Sequence, residues 1–298
     1  MRSIPVRLPY EQQSTLGKKG SKKSIGDPSV SKQDLNKALV ALGLELDSDQ
    51  VDRSIWLASE LLDWNRRVNL TGISSPEDVI SKHLLDSFTL VPVLERIFGA
   101  GRIRMVDVGT GAGFPGIPAK LARPDLKLTL LEATGKKVAF LEHAIEGLSL
   151  DNTEALHTRA ELIGHEPGYR EAFDVAVGRA VSGMGTLVEL LLPLVRLGGW
   201  ALVMKTQREL DTELQGALPG IEELGGRVTE IASASIAGYL EDRVIVLVEK
   251  VRPTPEAYPR RPGVPQRRPL SGRLSDPSDA RPVGPVKNGG GVSVRAEL

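Results

Sequence analysis

Residues 104–116, Arg-Met-Val-Asp-Val-Gly-Thr-Gly-Ala-Gly-Phe-Pro-Gly, carry the densest chemistry in the chain. An apolar run with Asp107 near its end breaks into a turn holding Gly109, Gly111, Gly113 and Gly116, where Pro115 opens a helix. Glycines at this density serve a backbone that turns sharply and approaches a ligand closely. Helix-start N–H groups, at the positive end of the dipole, suit an anionic or polar part of that ligand. The loop therefore reads as a site for a nucleotide-type cofactor. Gly111-Ala112-Gly113-Phe114-Pro115-Gly116 is a literal G-x-G-x-x-G, and Glu132 stands 21 residues after Gly111. Both fit a dinucleotide fingerprint, with the acid on a ribose diol. Asp107 and Gly109 extend the pattern to Asp-x-Gly-x-Gly-x-Gly, that of S-adenosylmethionine sites, where Asp107 can accept from the amino group of an aminoacyl moiety.

Other chemistries are excluded by composition. The chain has 298 residues and no cysteine, which removes disulfides, thiolate metal sites and cysteine nucleophiles. Its four histidines, at 83, 143, 157 and 165, have no ligand spacing, so no metal is expected. No apolar run is long enough to span a bilayer and no secretory signal opens the sequence, so action in the cytoplasm as a monomer is expected. Net charge is zero, but residues 1–33 carry seven Lys/Arg against two acids and residues 251–298 nine against four. The body between is acidic, so contact with a polyanion must use a local patch.

The elements that position the loop follow from periodicity. Residues 1–30 read as a disordered basic extension. A helical cap over 31–98 begins at Ser31, with a longer helix capped by Ser48 and another opened by Ser75-Pro76-Glu77. From 99 to 250 strands at 103–108, 127–132, 153–157, 173–178 and 200–204 alternate with helices at 115–123, 135–147, 160–164, 185–196 and 207–218. That is a doubly wound α/β sheet. Strands at 227–232 and 243–249 are joined too closely for a parallel crossover and must pair antiparallel. A mostly parallel seven-stranded sheet ending in such a hairpin is the Rossmann-like arrangement of class I methyltransferases. Residues 251–298, with nine of the twenty prolines, read as a disordered Pro/Arg/Gly-rich tail.

With these motifs in order, residues 34–250 resemble the RsmG (GidB) family of small-subunit ribosomal RNA methyltransferases. The resemblance rests on Asp107 to Pro118, Trp64-Asn65-x-x-x-Asn69-Leu70-Thr71, His83-Leu84-Leu85-Asp86-Ser87, Gly135-Lys136-Lys137-Val138-x-Phe140-Leu141 and Gly178-Arg179-Ala180. It implies methyl transfer from S-adenosylmethionine to N7 of guanine 527 in the 530 loop of 16S rRNA, on the 30S subunit or its assembly intermediate. It further implies cofactor contacts from Gly109, Phe114 and Glu132, with Asp107, Gly111, Gly113, Ala133 and Thr134 around them. Ala160 and Glu161 would flank the adenine, and Arg179 would stand at the end of the fourth strand. Position 132 is Glu where many members have Asp; the longer acid still reaches a ribose diol.

Guanine N7 carries an exposed lone pair and needs no deprotonation, so no general base is required and alignment is the main task. Candidates for an RNA-facing wall opposite the cofactor are Asn65, Asn69, His83, Asp86 and Ser87, with Lys205 at a strand end. For Asn65 and Ser87 helix capping is the competing reading. His83 and Asp86 are three apart and share a helical face. Trp56 and Trp64 are read as packing the cap, with base stacking open for Trp64. Lys136 and Lys137 stand as RNA contacts or solvated charges.

Overall fold

The computed structural model describes residues 32–270; the expectations for Ser31, the basic extension and the last part of the tail lie outside them. Its sheet has seven strands in the order β3-β2-β1-β4-β5-β7-β6. These are β1 Arg104–Val108, β2 Lys127–Glu132, β3 Thr153–His157, β4 Phe173–Arg179, β5 Val195–Thr206, β6 Gly226–Ser233 and β7 Arg243–Lys250. β1 to β5 pair parallel, and β7 pairs antiparallel with both β5 and β6. This is the expected class I methyltransferase sheet, hairpin included.

Successive strand residues alternate between two apolar layers, as the pleat requires. Met105, Val175, Val177, Leu202 and Leu247 face one layer, while Val106, Ala176, Val203 and Val246 face the other. The first layer also holds Leu57 and Leu61 of α2 (Ser48–Val68), Phe88, and Leu94 of α5 (Leu90–Phe98). The N-terminal helices, from α1 (Lys32–Leu42) onward, are thus one half of the core rather than a separate unit. Trp56 lies where a side chain on Gly147 would be, with a Cβ there only 2.3 Å from the ring, which seats α2 on α7 (Gly135–Gly147). Half-buried Trp64 packs edge-on against Phe140, the packing part read for it.

Several boundaries differ from expectation. Asp47, not Ser48, caps α2, because Gln50 three residues on completes a reciprocal box with it. Ser75 does cap α3 (Pro76–Asp78), but the helix then widens into a π-wound stretch over Val79–Leu85 before α4 (Asp86–Phe88). Pro115 sits at the cap position of α6 (Gly116–Ala122). α9 (Met184–Leu191) gives way to a tighter turn at Leu192–Leu194, because β5 begins at Val195, ahead of the expected start at Trp200. α10 (Gln207–Glu223) runs through Pro219.

The largest correction concerns the tail. Residues 251–270 are a packed strap on the second layer, ending in α11 (Val264–Arg267), with Tyr258, Val264 and Leu270 buried. Its apolar residues are too sparse to show a period, and polar partners do the rest. Arg260 forms a buried pair with Glu189, with Nη2–Oε2 at 2.6 Å. Arg170 donates to the carbonyls of Thr254 and Tyr258, each at 2.7 Å.

Candidate active site

Strand order reverses between β1 and β4, and open α/β sheets bind ligands at the carboxyl ends beside such a switch point. Gly109 follows β1 there, and Ala180 follows β4. Two hollows open at this place, and Ala180 lines both. Ala180 has φ 53°, a left-handed conformation that costs a non-glycine residue roughly 1–2 kcal/mol.

The first hollow, about 290 Å³, is lined by Gly109, Glu132, Ala133, Ala160 and Glu161 among others. Backbone builds it. Gly109 has φ +67°, and a Cβ on it would stand 2.8 Å from Val181 Cγ2. Glu132 is 7% exposed; its carboxylate accepts from Gly111 N at 3.1 Å and Thr134 N at 2.8 Å. It thereby holds the glycine turn and the start of α7 on either side of itself. Asp107 lies beneath the turn, fully buried, with Oδ2 accepting from Thr110 Oγ1 at 2.6 Å and Gly116 N at 2.8 Å. Burial pushes its pKa up to about 6, against the pull of those two hydrogen bonds. Oδ2 thereby fixes the loop, while Oδ1 is buried with no hydrogen-bond partner among the described residues. Gly111, at φ +64°, faces open space, whereas a Cβ on Gly113 would meet Ile117 Cδ1 at 2.4 Å.

The second hollow, about 310 Å³, is built from side chains. Arg179 is its hub. It donates from Nη1 to Asp86 Oδ2 at 2.8 Å and to Lys82 O at 3.1 Å, and its Nη2 lies 3.2 Å from His83 Nδ1. A guanidinium only donates, so His83 Nδ1 accepts and Nε2–H donates to Thr71 Oγ1 at 3.0 Å. Burial, then the charge of Arg179, lowers the His83 pKa to about 4, which keeps the ring neutral. The same ring stacks on Phe114 with centroids 4.8 Å apart. Asp86 also faces Arg243 Nε at 3.5 Å. Two guanidinium groups on one carboxylate leave this hollow cationic. Lys205 lines it too, 6% exposed, donating to Ser182 O at 2.8 Å and pairing with Glu213 at 3.1 Å.

Residues 52–234 match the family described as GidB, rRNA small subunit methyltransferase G. The chain belongs to that family. Among its relatives, the ribosomal RNA small subunit methyltransferase G of Moorella thermoacetica is 44% identical over 228 residues, 76% of this chain and 93% of that protein. The protein of that name from Roseiflexus sp. is 43% identical over 230 residues, covering 77% and 96%. That from Alkaliphilus metalliredigens is 39% identical over 240 residues, covering 80% and 99%. Like the rest of the methyltransferase G family, the chain is an S-adenosylmethionine-dependent methyltransferase. The first hollow suits that cofactor, with a glycine wall that a side chain would fill and two carboxylates, Glu132 and Glu161, at its rim.

Not every residue anticipated for the methyltransferase G site takes the expected place. Gly109, Glu132, Ala133, Ala160 and Glu161 come together as foreseen, with Thr134 adjoining. Arg179 ends β4 as expected, its guanidinium turned to Asp86 and His83 in the second hollow, and Phe114 is buried against the His83 ring rather than lining the first hollow. Ser87 is fully buried, its hydroxyl spent on His83 O, and so cannot face RNA. Asn65 ties down a turn, accepting from Leu70 N at 2.7 Å and Thr71 N at 2.9 Å, and donating to Ile73 O at 3.2 Å. Asn69 ends α2 at φ 49°, and both asparagines border a third hollow apart from Arg179. His143 pairs with Glu60 at 2.8 Å and packs on Trp56 and Trp64. Sequence reasoning missed Thr71, Lys82, Arg159 and Arg243. Thr71 lay within a recognised motif; Arg243 had no local signal, since its partner is 157 residues away. Among the described residues no cluster could hold a metal ion, and no helix is long and apolar enough to cross a membrane.

Proposed function

We propose that the protein methylates N7 of guanine 527 in the 530 loop of 16S rRNA, presented by the 30S subunit or its assembly intermediate. The carrying observation is the meeting of a backbone-built hollow and a cationic one at Ala180. Bound S-adenosylmethionine supplies a methyl group on a positively charged sulfur. In this reading Gly109, Glu132, Ala160 and Glu161 hold the adenosyl part, while Asp107 keeps the glycine turn in shape. The target guanine enters the second hollow, whose volume lies at the lower end of small-ligand sites. The bound cofactor would offer that methyl to the N7 lone pair, with the carbon–sulfur pair leaving on sulfur, and this chain's residues would need to move no proton. The protein's share is alignment and charge placement.

Two features support that division. Neutral His83 has both ring nitrogens engaged, so it is a positioning residue and not a base. Positive charge grows on the purine, and Asp86 and Glu209 are the carboxylates that face it. Exposed Lys82 beside this hollow and Lys137 and Arg159 beside the other supply cations for RNA phosphates, which position without reading sequence. Lys205, held by Glu213, is assigned to support Ser182 and the wall. Asn65 and Asn69 form a peripheral edge that shapes the path to Thr71 and His83.

The test incubates the full chain with methyl-labelled cofactor and undermethylated 30S subunits, then maps the modified base. Label at guanine N7 in the 530 loop is expected. Label on protein, or on another RNA base, would refute the acceptor assignment while sparing the methyltransferase.

A further inference from the structure

The strap at 251–270 reaches back to the first hollow, and there it brings a side chain to its rim: Gln266. The attachment is built into the helices beneath. A Cβ on Gly164 would lie 2.7 Å from Pro259, one on Gly185 would lie 2.3 Å from Leu270 O, and one on Gly220 would lie 2.6 Å from Leu270 Cβ. Three helix or turn positions thus leave out side chains where the strap passes. Polar latches complete the fit: Arg260 on Glu189, Thr186 Oγ1 donating to Pro265 O at 2.8 Å, and His165 Nε2 donating to Pro259 O at 2.7 Å.

The strap also acts on a carboxylate of the hollow itself. Glu161 is 2% exposed, and Gly263 N donates to its Oε1 at 3.1 Å. Three residues on, Gln266 is exposed, and its amide has no hydrogen-bond partner among the described residues. A free amide of this kind pairs with adenine in two bonds, its carbonyl accepting from the N6 amino group while its NH2 donates to N7.

We propose that Gln266 is a specificity-determining residue of the cofactor site, reading the adenine edge from a strap that also fixes Glu161. The proposal rests on the assignment of the first hollow to the adenosyl group. It adds a wall from beyond the sheet to a pocket otherwise made by the ends of β1 and β2, α7, α8 (Ala160–Ile163), the turn after β4 and α9.

Calorimetry on the full chain tests it with two ligands, S-adenosylhomocysteine and its inosine counterpart, whose 6-oxo group cannot donate. Wild type is expected to prefer the adenine form. Gln266→Ala should bind it about fivefold more weakly and lose distinctly less for the inosine form, which keeps only the N7 bond, abolishing most of the preference. Glu132→Gln serves as the control for the site assignment. If Glu132→Gln weakens binding but Gln266→Ala does not, the strap inference fails alone. If neither changes affinity, the hollow is not the adenosyl site and both readings fall. Equal loss for both ligands in Gln266→Ala would also overturn base reading, since a merely structural effect has no reason to spare one of them.

Discussion

The two hollows that meet at Ala180 are made of different materials. The first is set by a backbone turn: Gly109 lines it, Gly111 and Gly113 continue the turn at positive φ, and a buried aspartate beneath and Glu132, accepting from two N–H groups, hold the turn in place. The second is a lattice of side chains, in which Arg179 and Arg243 share Asp86 and His83 is clamped between Thr71, Arg179 and Phe114. Backbone geometry is rigid, which suits a ligand common to many enzymes. A charged side-chain lattice is adjustable and acceptor-specific. Damage to the first should therefore appear as lost cofactor affinity, and damage to the second as lost transfer.

The hardest blow to the second hollow is Asp86→Ala. It leaves Arg179, 11% exposed, facing Arg243 with no carboxylate between them. Removing one partner of such a buried pair costs about 3–5 kcal/mol, so chemical denaturation should report a marked loss of stability. Transfer to 30S subunits should fall about a hundredfold or more, in line with other losses of positioning groups. Stability matching the wild type would contradict the hub assigned to Arg179.

A smaller effect is expected in the first hollow from Gly109→Ala. The new methyl group collides with Val181 and forces φ +67° on a residue with a Cβ, at a conformational cost of roughly 1–2 kcal/mol. Calorimetry should show S-adenosylhomocysteine binding weakened about tenfold, the equivalent of about 1.4 kcal/mol. An unchanged affinity would remove the glycine wall from the cofactor site.

A further effect separates the two regions by pH. His83 has a lowered pKa, about 4, so its unfolded form binds more protons between there and 6.5; its share of stability is complete above 6.5 and lost as pH falls. Asp107 has a raised pKa, about 6, so its share is complete below the ordinary value of 3.8 and lost as pH rises through 6. The two oppose each other across the same window. The wild-type-minus-His83→Gln stability difference should therefore grow as pH rises from about 4 to 6.5 and stay flat above. A difference independent of pH would show that His83 titrates normally.

The contrast in materials also explains what could be read from the chain before its fold was known. The glycine loop and Glu132 announce themselves because the backbone demand is local: positive φ and close approach leave a mark within a few residues. The direction of the last two strands was legible for a similar reason, since a short link between β6 and β7 permits only an antiparallel pair. Ser87 was misplaced because the π-wound stretch over Val79–Leu85 holds extra residues per turn and rotates the following face inward. Asp86 could be suspected from its spacing to His83, but its two arginines come from β4 and β7. The strap eluded composition because proline and arginine can be ordered when glycines opposite make room and buried carboxylates receive the charge.

The division of labour is tested most directly by methyl transfer to 30S subunits as a function of cofactor concentration, in Glu132→Gln and Asp86→Asn side by side. Both variants keep shape while removing one charge and turning one of two accepting oxygens into a donor. Glu132→Gln should raise the cofactor concentration needed for half-maximal transfer about tenfold and approach the wild-type rate at saturation. Asp86→Asn should keep the wild-type cofactor requirement and lose about thirtyfold or more in rate at saturation. If the two variants shift the same parameter, the hollows do not divide cofactor from acceptor.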